Sequence, residues 1–199
     1  MTASNTEEVV YARATKRIIA FMLDYLVIVG YIIVLTLIAI GLMYAVDSSQ
    51  AVVMFTNPFV ADLLTFLTLV LPVILYHALL ESSVHQATWG KQKIGIKVID
   101  VKGSRLSRPQ ALLRSLVKFL PWQMAHTCIY HVKGWPSAPE MTSEIVVGLV
   151  VVWVLVGVYV SSLILSKTHR TPYDWLASAC VIVASGSLVT NIAISPRLG

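Results

Sequence analysis

Two residues in the first long apolar stretch, Arg17 and Asp24, have the types and spacing for chemistry inside a membrane. Seven residues at about 1.5 Å rise place Asp24 roughly 10 Å deeper than Arg17 along a helix. Seven is also close to two turns, so both side chains project from one face. A carboxylate at that depth costs about 2.5–3.5 kcal/mol on insertion scales, so it must face other helices or water and have a partner. The bland role is a structural ion pair with Arg17, Arg114 or Lys118. The functional role is a carboxylate that exchanges protons or cations, since burial raises its pKa and a nearby guanidinium lowers it. Asp174 is the second acid of this kind. Thr171-Pro-Tyr-Asp174 reads as a capping box, and that local role is compatible with a basic partner as well.

His77, Glu81 and His85 follow one another at four-residue spacing and have ligand types for a metal. The first and last lie about 12 Å apart along a helix, so one pair could ligate but not all three. The expectation is no metal, with the three as polar residues near headgroups. Lys118 and Arg170 are further cationic candidates, and Lys91 and Lys93 read as part of a solvated basic face. There is no P-loop, no GxGxxG and no nucleophile–base motif, so neither an enzyme nor a cofactor is expected.

The elements that must position these residues follow from composition. Of 199 residues, 57% are hydrophobic and 13% charged, about half the charged share of a soluble domain. That much apolar surface belongs in a bilayer. The first apolar run covers residues 18–44, the second 58–80 with Pro72 inside it, and the cleanest covers 145–165. Thr65 and Thr68 are expected to satisfy backbone groups freed by Pro72. Residues 89–108 are rich in Lys and Arg, and 93–100 alternate at period two, so a β-hairpin returning through 104–106 is expected. Ser107-Arg-Pro-Gln110 opens an amphipathic interfacial helix that Pro121 interrupts, and 131–144 reads as a loop. Thr171 opens a last apolar run to 194, which either crosses the bilayer or lies at its edge; Ser185-Gly186-Ser187 favours the edge.

The fold class is therefore an all-α membrane protein. It is a bundle of about four transmembrane or re-entrant helices with a small cytoplasmic β-hairpin and an interfacial amphipathic helix. Residues 1–16 form a polar cytoplasmic N-terminus, 17–194 a single transmembrane domain and 195–199 a tail. The stretch 47–50 has no Lys or Arg, which places it outside and the N-terminus in the cytoplasm. Cys128 and Cys180 read as buried, inert thiols. The net charge of +5 points to anionic headgroups at a basic cytoplasmic face rather than to nucleic acid.

Three blocks carry a family resemblance: Arg17…Ala20…Asp24; Glu81-Ser-Ser…Thr88-Trp-Gly-Lys-Gln-Lys-Ile-Gly95…Asp100…Gly103 followed by Arg114; and Arg170-Thr-Pro-Tyr-Asp174-Trp-Leu-Ala177. Together they resemble the RDD family of small bacterial integral membrane proteins, named for one arginine and two aspartates. The resemblance maps these onto Arg17, Asp24 and Asp174. It implies transport of a small ion or solute, in some members cation/proton exchange, or regulation of a membrane-bound partner. Tyr173 stands where the family usually has His, and Ser178 and Ala179 where it often has Gly-Thr. The leading expectation is an inner-membrane transporter using an ionic cluster of Arg17, Asp24, Arg114 and Asp174. The alternative is a scaffold that binds a protein partner. A homo-oligomer would supply the pathway that so small a bundle lacks.

Overall fold

The computed structural model describes residues 10–45, 57–134 and 139–184. The stretch 47–50, the end of the last apolar run and the two termini beyond these bounds lie outside the described residues.

Helix α1, Ala14–Ala45, is 32 residues long, about 48 Å, and exceeds the roughly 30 Å hydrocarbon layer. Its buried residues are Ala20, Asp24 and Ile28, four apart and therefore on one stripe. Its other faces are apolar and exposed, as suits a helix against lipid. Helix α2, Pro58–Glu81, starts with Pro58 after Asn57, whose side chain accepts from the Phe59 and Val60 amides. A π-turn covers Phe66–Val70, just before Pro72. Pro72 has no N–H, which leaves the Thr68 carbonyl without its helical donor. The Tyr31 hydroxyl of α1 donates to that carbonyl instead. Thr65 and Thr68 do not fill this role as expected: Thr68 bonds back to Leu64 O and Thr65 donates to Tyr130.

Residues 89–108 depart from the expected hairpin in detail. Trp89–Ile94 forms a short helix, α3, ended by Gly95 at φ 69°. Ile96–Asp100 is a strand, β1, and it is antiparallel to β2, Ala179–Val183, rather than to 104–106. Register pairs Ile96 with Val183 and Asp100 with Ala179. The N-terminal segment joins the other edge of β2, through Ala12 N to Val181 O and Val183 N to Val10 O, both 2.9 Å. The small antiparallel sheet is present, but its second strand is drawn from the end of the chain. Up to residue 184 the last apolar run is accordingly no long helix. Its capping box opens only Pro172–Leu176, α6. Ser178 then takes φ 50°, and the β-branched run Val181-Ile182-Val183 continues as strand.

Helix α4, Arg108–Tyr130, begins at a Ser107–Gln110 capping box and is not broken at Pro121. The Val117 carbonyl, which Pro121 deprives of a donor, receives the Tyr159 hydroxyl at 2.7 Å. Helix α5, Ser143–Leu165, supplies that tyrosine. Among the described residues three helices, α1, α2 and α5, are long and apolar enough to cross a membrane. Helix α4 runs the same height. The residues before α1, strand β1 after α2 and strand β2 after α5 share one sheet, so α1–α2 and α4–α5 each make a round trip. At 23 residues α4 is about 34 Å long, enough for that height.

The core has two parts. Under the sheet, Ile96, Val98, Ala179 and Val181 pack on Ala20, Ala78 and Ala111 at the ends of α1, α2 and α4. Mid-bundle, Ile28 packs with Val70, Val73, Ile74 and Phe119. Cys180 is buried and Cys128 half-buried, and neither is bonded to another cysteine. The candidate residues gather between these two layers.

Candidate functional site

Six charged side chains form one unbroken line. Arg17 Nη2 lies 2.7 Å from Asp174 Oδ2. Arg114 reaches Asp174 Oδ1 from Nη2 at 2.8 Å and from Nε at 2.9 Å. Its Nη1 donates to Glu81 Oε2. Lys91 Nζ lies 2.9 Å from Glu81 Oε1 and 3.9 Å from Asp24 Oδ2. Asp24, Glu81 and Asp174 are 0% exposed. Three cations face three carboxylates, so the line is neutral.

Each position follows from a local cause. Asp24 lies on the buried stripe of α1, where the start of α3 meets it. Gly90 makes that approach possible: a Cβ there would stand 2.2 Å from Ala20 O. The Gly90 amide donates to Asp24 Oδ1 at 2.8 Å and Thr88 Oγ1 to Oδ2 at 2.5 Å. The Tyr76 hydroxyl adds a third donor at 3.1 Å. The expected pairing of Asp24 with Arg17 or Arg114 is therefore not what forms. The first turn of α3 reaches it first, and Arg17 is drawn to Asp174 and to the His169 carbonyl. Asp174 is both cap and ion-pair partner. The Thr171 amide and hydroxyl donate to its Oδ2 at 3.1 and 2.8 Å. Burial alone would raise the Asp174 carboxyl, but Arg114, Arg17 and the Thr171 amide outweigh it and hold it at about 2.

The remaining candidates fall around this line. His77 and Glu81 are fully buried rather than at headgroup level, with Nδ1 of His77 3.6 Å from Glu81 Oε1. Lys118 Nζ is nearer, at 3.3 Å from the same nitrogen. Nε2 of the same ring has no hydrogen-bond partner among the described residues. His85 is exposed and joins neither, and no metal-ligating group forms among the described residues. Arg170 bonds the carbonyls of Ala179 and Asp174, which ties α6 to β2. Lys91 is 7% exposed, so it is a buried member of the line and not part of a solvated face. Nothing local in the sequence marked it out; only its place beside Gly90, whose backbone closes on α1, does so. Asp62 was also missed. It accepts from Gln123 and Thr127 at 2.9 Å, nearer the other end of the bundle, and an acid four residues into an apolar helix was the available signal.

Between α1 and α5, over α4, lies a cavity of about 420 Å³. One end is lined by Arg17, Lys91, Arg114, Lys118 and Tyr173, and the rest by residues such as Phe119, Trp122, Ala125, Val152 and Val156. Among the described residues no carboxylate lines it. Both oxygens of each buried acid are already engaged, whereas Lys118 forms no salt bridge among the described residues. It lies instead over the rings of Phe21 and Phe119, at 5.2 and 5.0 Å.

A sequence model of the RDD family matches residues 11–178, a stretch that contains all six members of the line. The chain belongs to the RDD family. It matches no curated protein and no solved structure. In this RDD protein Tyr173 stacks over Arg114 at 5.3 Å and meets Tyr159 edge-on at 5.3 Å. The ring at that position thus closes the guanidinium against the wall of the cavity.

Proposed function

We propose that this RDD protein is a multi-pass inner-membrane transporter whose ligand is a small anion, bound at the cationic end of the cavity. The observation that carries this reading is the lining itself: Arg17, Lys91, Arg114 and Lys118, with no acid among them. The Arg–Asp line then acts as a fixed frame. Its three carboxylates hold Arg17, Arg114 and Lys91 in place, and their own oxygens are spent on those partners. Cation or proton exchange at Asp24 is the weaker form of the transport reading, because Asp24 is 0% exposed and ringed by three neutral donors. The sheet end faces the cytoplasm in this reading, since the Lys- and Arg-rich stretch 89–108 lies there.

The saturated line also favours a second reading, a rigid scaffold with no ligand. Two assays on purified protein separate these. Proteoliposomes with a pH-sensitive dye inside and Na⁺ or K⁺ added outside should give no proton flux that Asp24→Asn abolishes. Equilibrium binding of radiolabelled palmitate and inorganic phosphate should detect at least one of these anions, bound at least tenfold more weakly after Lys118→Gln. An Asp24-dependent cation–proton flux refutes the anion reading. If neither probe binds, the scaffold remains.

A further inference from the structure

The cavity has two unlike ends, and their arrangement says more than its charge. The cations lie toward the sheet: Arg17 is in the first turn of α1, and Arg114 is two turns into α4. From Arg114 the lining continues along α4 to Ala125, eleven residues or roughly 16 Å, and beyond Lys118 it is apolar. Val152 and Val156 of α5 form the facing wall. The rim is different again. Ile18 and Val160 line the cavity and are also 44% and 48% exposed, on the apolar outer surfaces of α1 and α5. The space therefore opens toward the faces that meet lipid. Its volume, about 420 Å³, is within the usual 300–1,000 Å³ of small-molecule sites.

Resting on the anion reading above, we infer that the ligand is an anionic amphiphile, one negatively charged head on one apolar chain, taken sideways from the bilayer between α1 and α5. The head meets Arg114 and Lys118, and the chain runs beside Trp122 and Ala125, parallel to the helices. Charge decides the head. Asp24, Glu81 and Asp174 balance Arg17, Arg114 and Lys91, which leaves Lys118 as the lining cation without a carboxylate among the described residues. A single negative charge completes the set. Shape decides the tail. An inorganic anion would fill the polar end and leave the apolar length empty, and a neutral lipid would fill the length and leave Lys118 unmatched.

The test is binding of radiolabelled palmitate to the full chain in phosphatidylcholine nanodiscs. Hexadecanol serves as the uncharged competitor, acetate and inorganic phosphate as the chainless ones, and phosphatidylglycerol as the lipid source of the same chemistry. Palmitate should saturate at one per chain, with hexadecanol, acetate and phosphate at least tenfold weaker. Lys118→Gln and, separately, Ala125→Phe should each lower palmitate affinity at least tenfold in protein that elutes as wild type does. Displacement by phosphatidylglycerol would make a membrane lipid the source, and its failure a free acid; either supports the inference. Phosphate binding as tightly as palmitate refutes the amphiphile and leaves the anion reading standing. Binding of no anion refutes both. Hexadecanol competing as well as palmitate, or palmitate affinity unchanged in both variants, also overturns the inference.

Discussion

Gly90→Ala tests the contact on which the position of Asp24 depends. The added Cβ would stand 2.2 Å from Ala20 O and 2.9 Å from both the amide nitrogen and Oδ1 of Asp24, where ordinary contact begins at 3.4 Å. Two of these are backbone atoms of α1 and cannot swing aside, so α3 must withdraw by about 1 Å. That movement breaks the 2.8 Å bond from the Gly90 amide to Asp24 and lengthens the one from Thr88 in the same turn. Each hydrogen bond to a charged group is worth about 1.5–3 kcal/mol, so the loss is roughly 3–5 kcal/mol. Alanine recovers about 1 kcal/mol of helix propensity. The net cost is about 2–4 kcal/mol, or a fall of roughly 5–15 °C in Tm for a chain of this length. Thermal unfolding followed by size-exclusion fluorescence reads this directly. Gly30→Ala is the control: a Cβ there meets no described residue within 4 Å, so the propensity gain is unopposed. Equal Tm values for the two variants would refute the close packing of α3 on α1.

Asp174→Asn should cost about 3–5 kcal/mol, because it strips a carboxylate from both Arg17 and Arg114 and leaves them buried. Its pH dependence has a definite sign. The Asp174 carboxyl is depressed from an ordinary 3.8 to about 2, so the stability it confers is fully present above pH 4 and is lost as pH falls through about 2. The depression corresponds to about 2 kcal/mol, and the Tm gap between wild type and Asp174→Asn should narrow across that window; a gap that stays constant from pH 5 to pH 2 would contradict the pairing. Tyr159→Phe should cost about 1 kcal/mol by leaving the Val117 carbonyl without a donor. Pro121→Ala restores an N–H to that carbonyl, so a double-mutant cycle should show the Tyr159→Phe cost shrinking in the Pro121→Ala background, and strict additivity would refute the role assigned to Tyr159.

What was legible in the sequence was mostly local or compositional. The apolar runs and the capping boxes at Ser107 and Thr171 follow from neighbouring residues, and the structure has them; of the alternating stretch 93–100, residues 96–100 are strand and 93–94 end a helix. What was not legible depends on pairs far apart in the chain. Strand β1 finds its partner some eighty residues away at Ala179–Val183, and nothing in 104–106 said that it would not serve. The need of Asp24 for partners could be argued from its depth, but their identity could not, since two of its three donors come from the Thr88–Gly90 turn. The rule by which Pro121 predicts a break concerns one helix, whereas the repair, Tyr159, is on another. The cavity was out of reach because its cationic end combines Arg17, Lys91, Arg114 and Lys118 from three different helices.

The central claim is that the buried acids are spent on their partners and that the leftover positive charge at Lys118 holds one anion. Native mass spectrometry of the intact protein, released from phosphatidylcholine nanodiscs containing a trace of palmitate, counts that anion. Wild type should carry one bound palmitate, Asp24→Asn the same, and Lys118→Gln none. Palmitate retained equally by Lys118→Gln, or lost from Asp24→Asn in folded protein while Lys118→Gln keeps it, would contradict it.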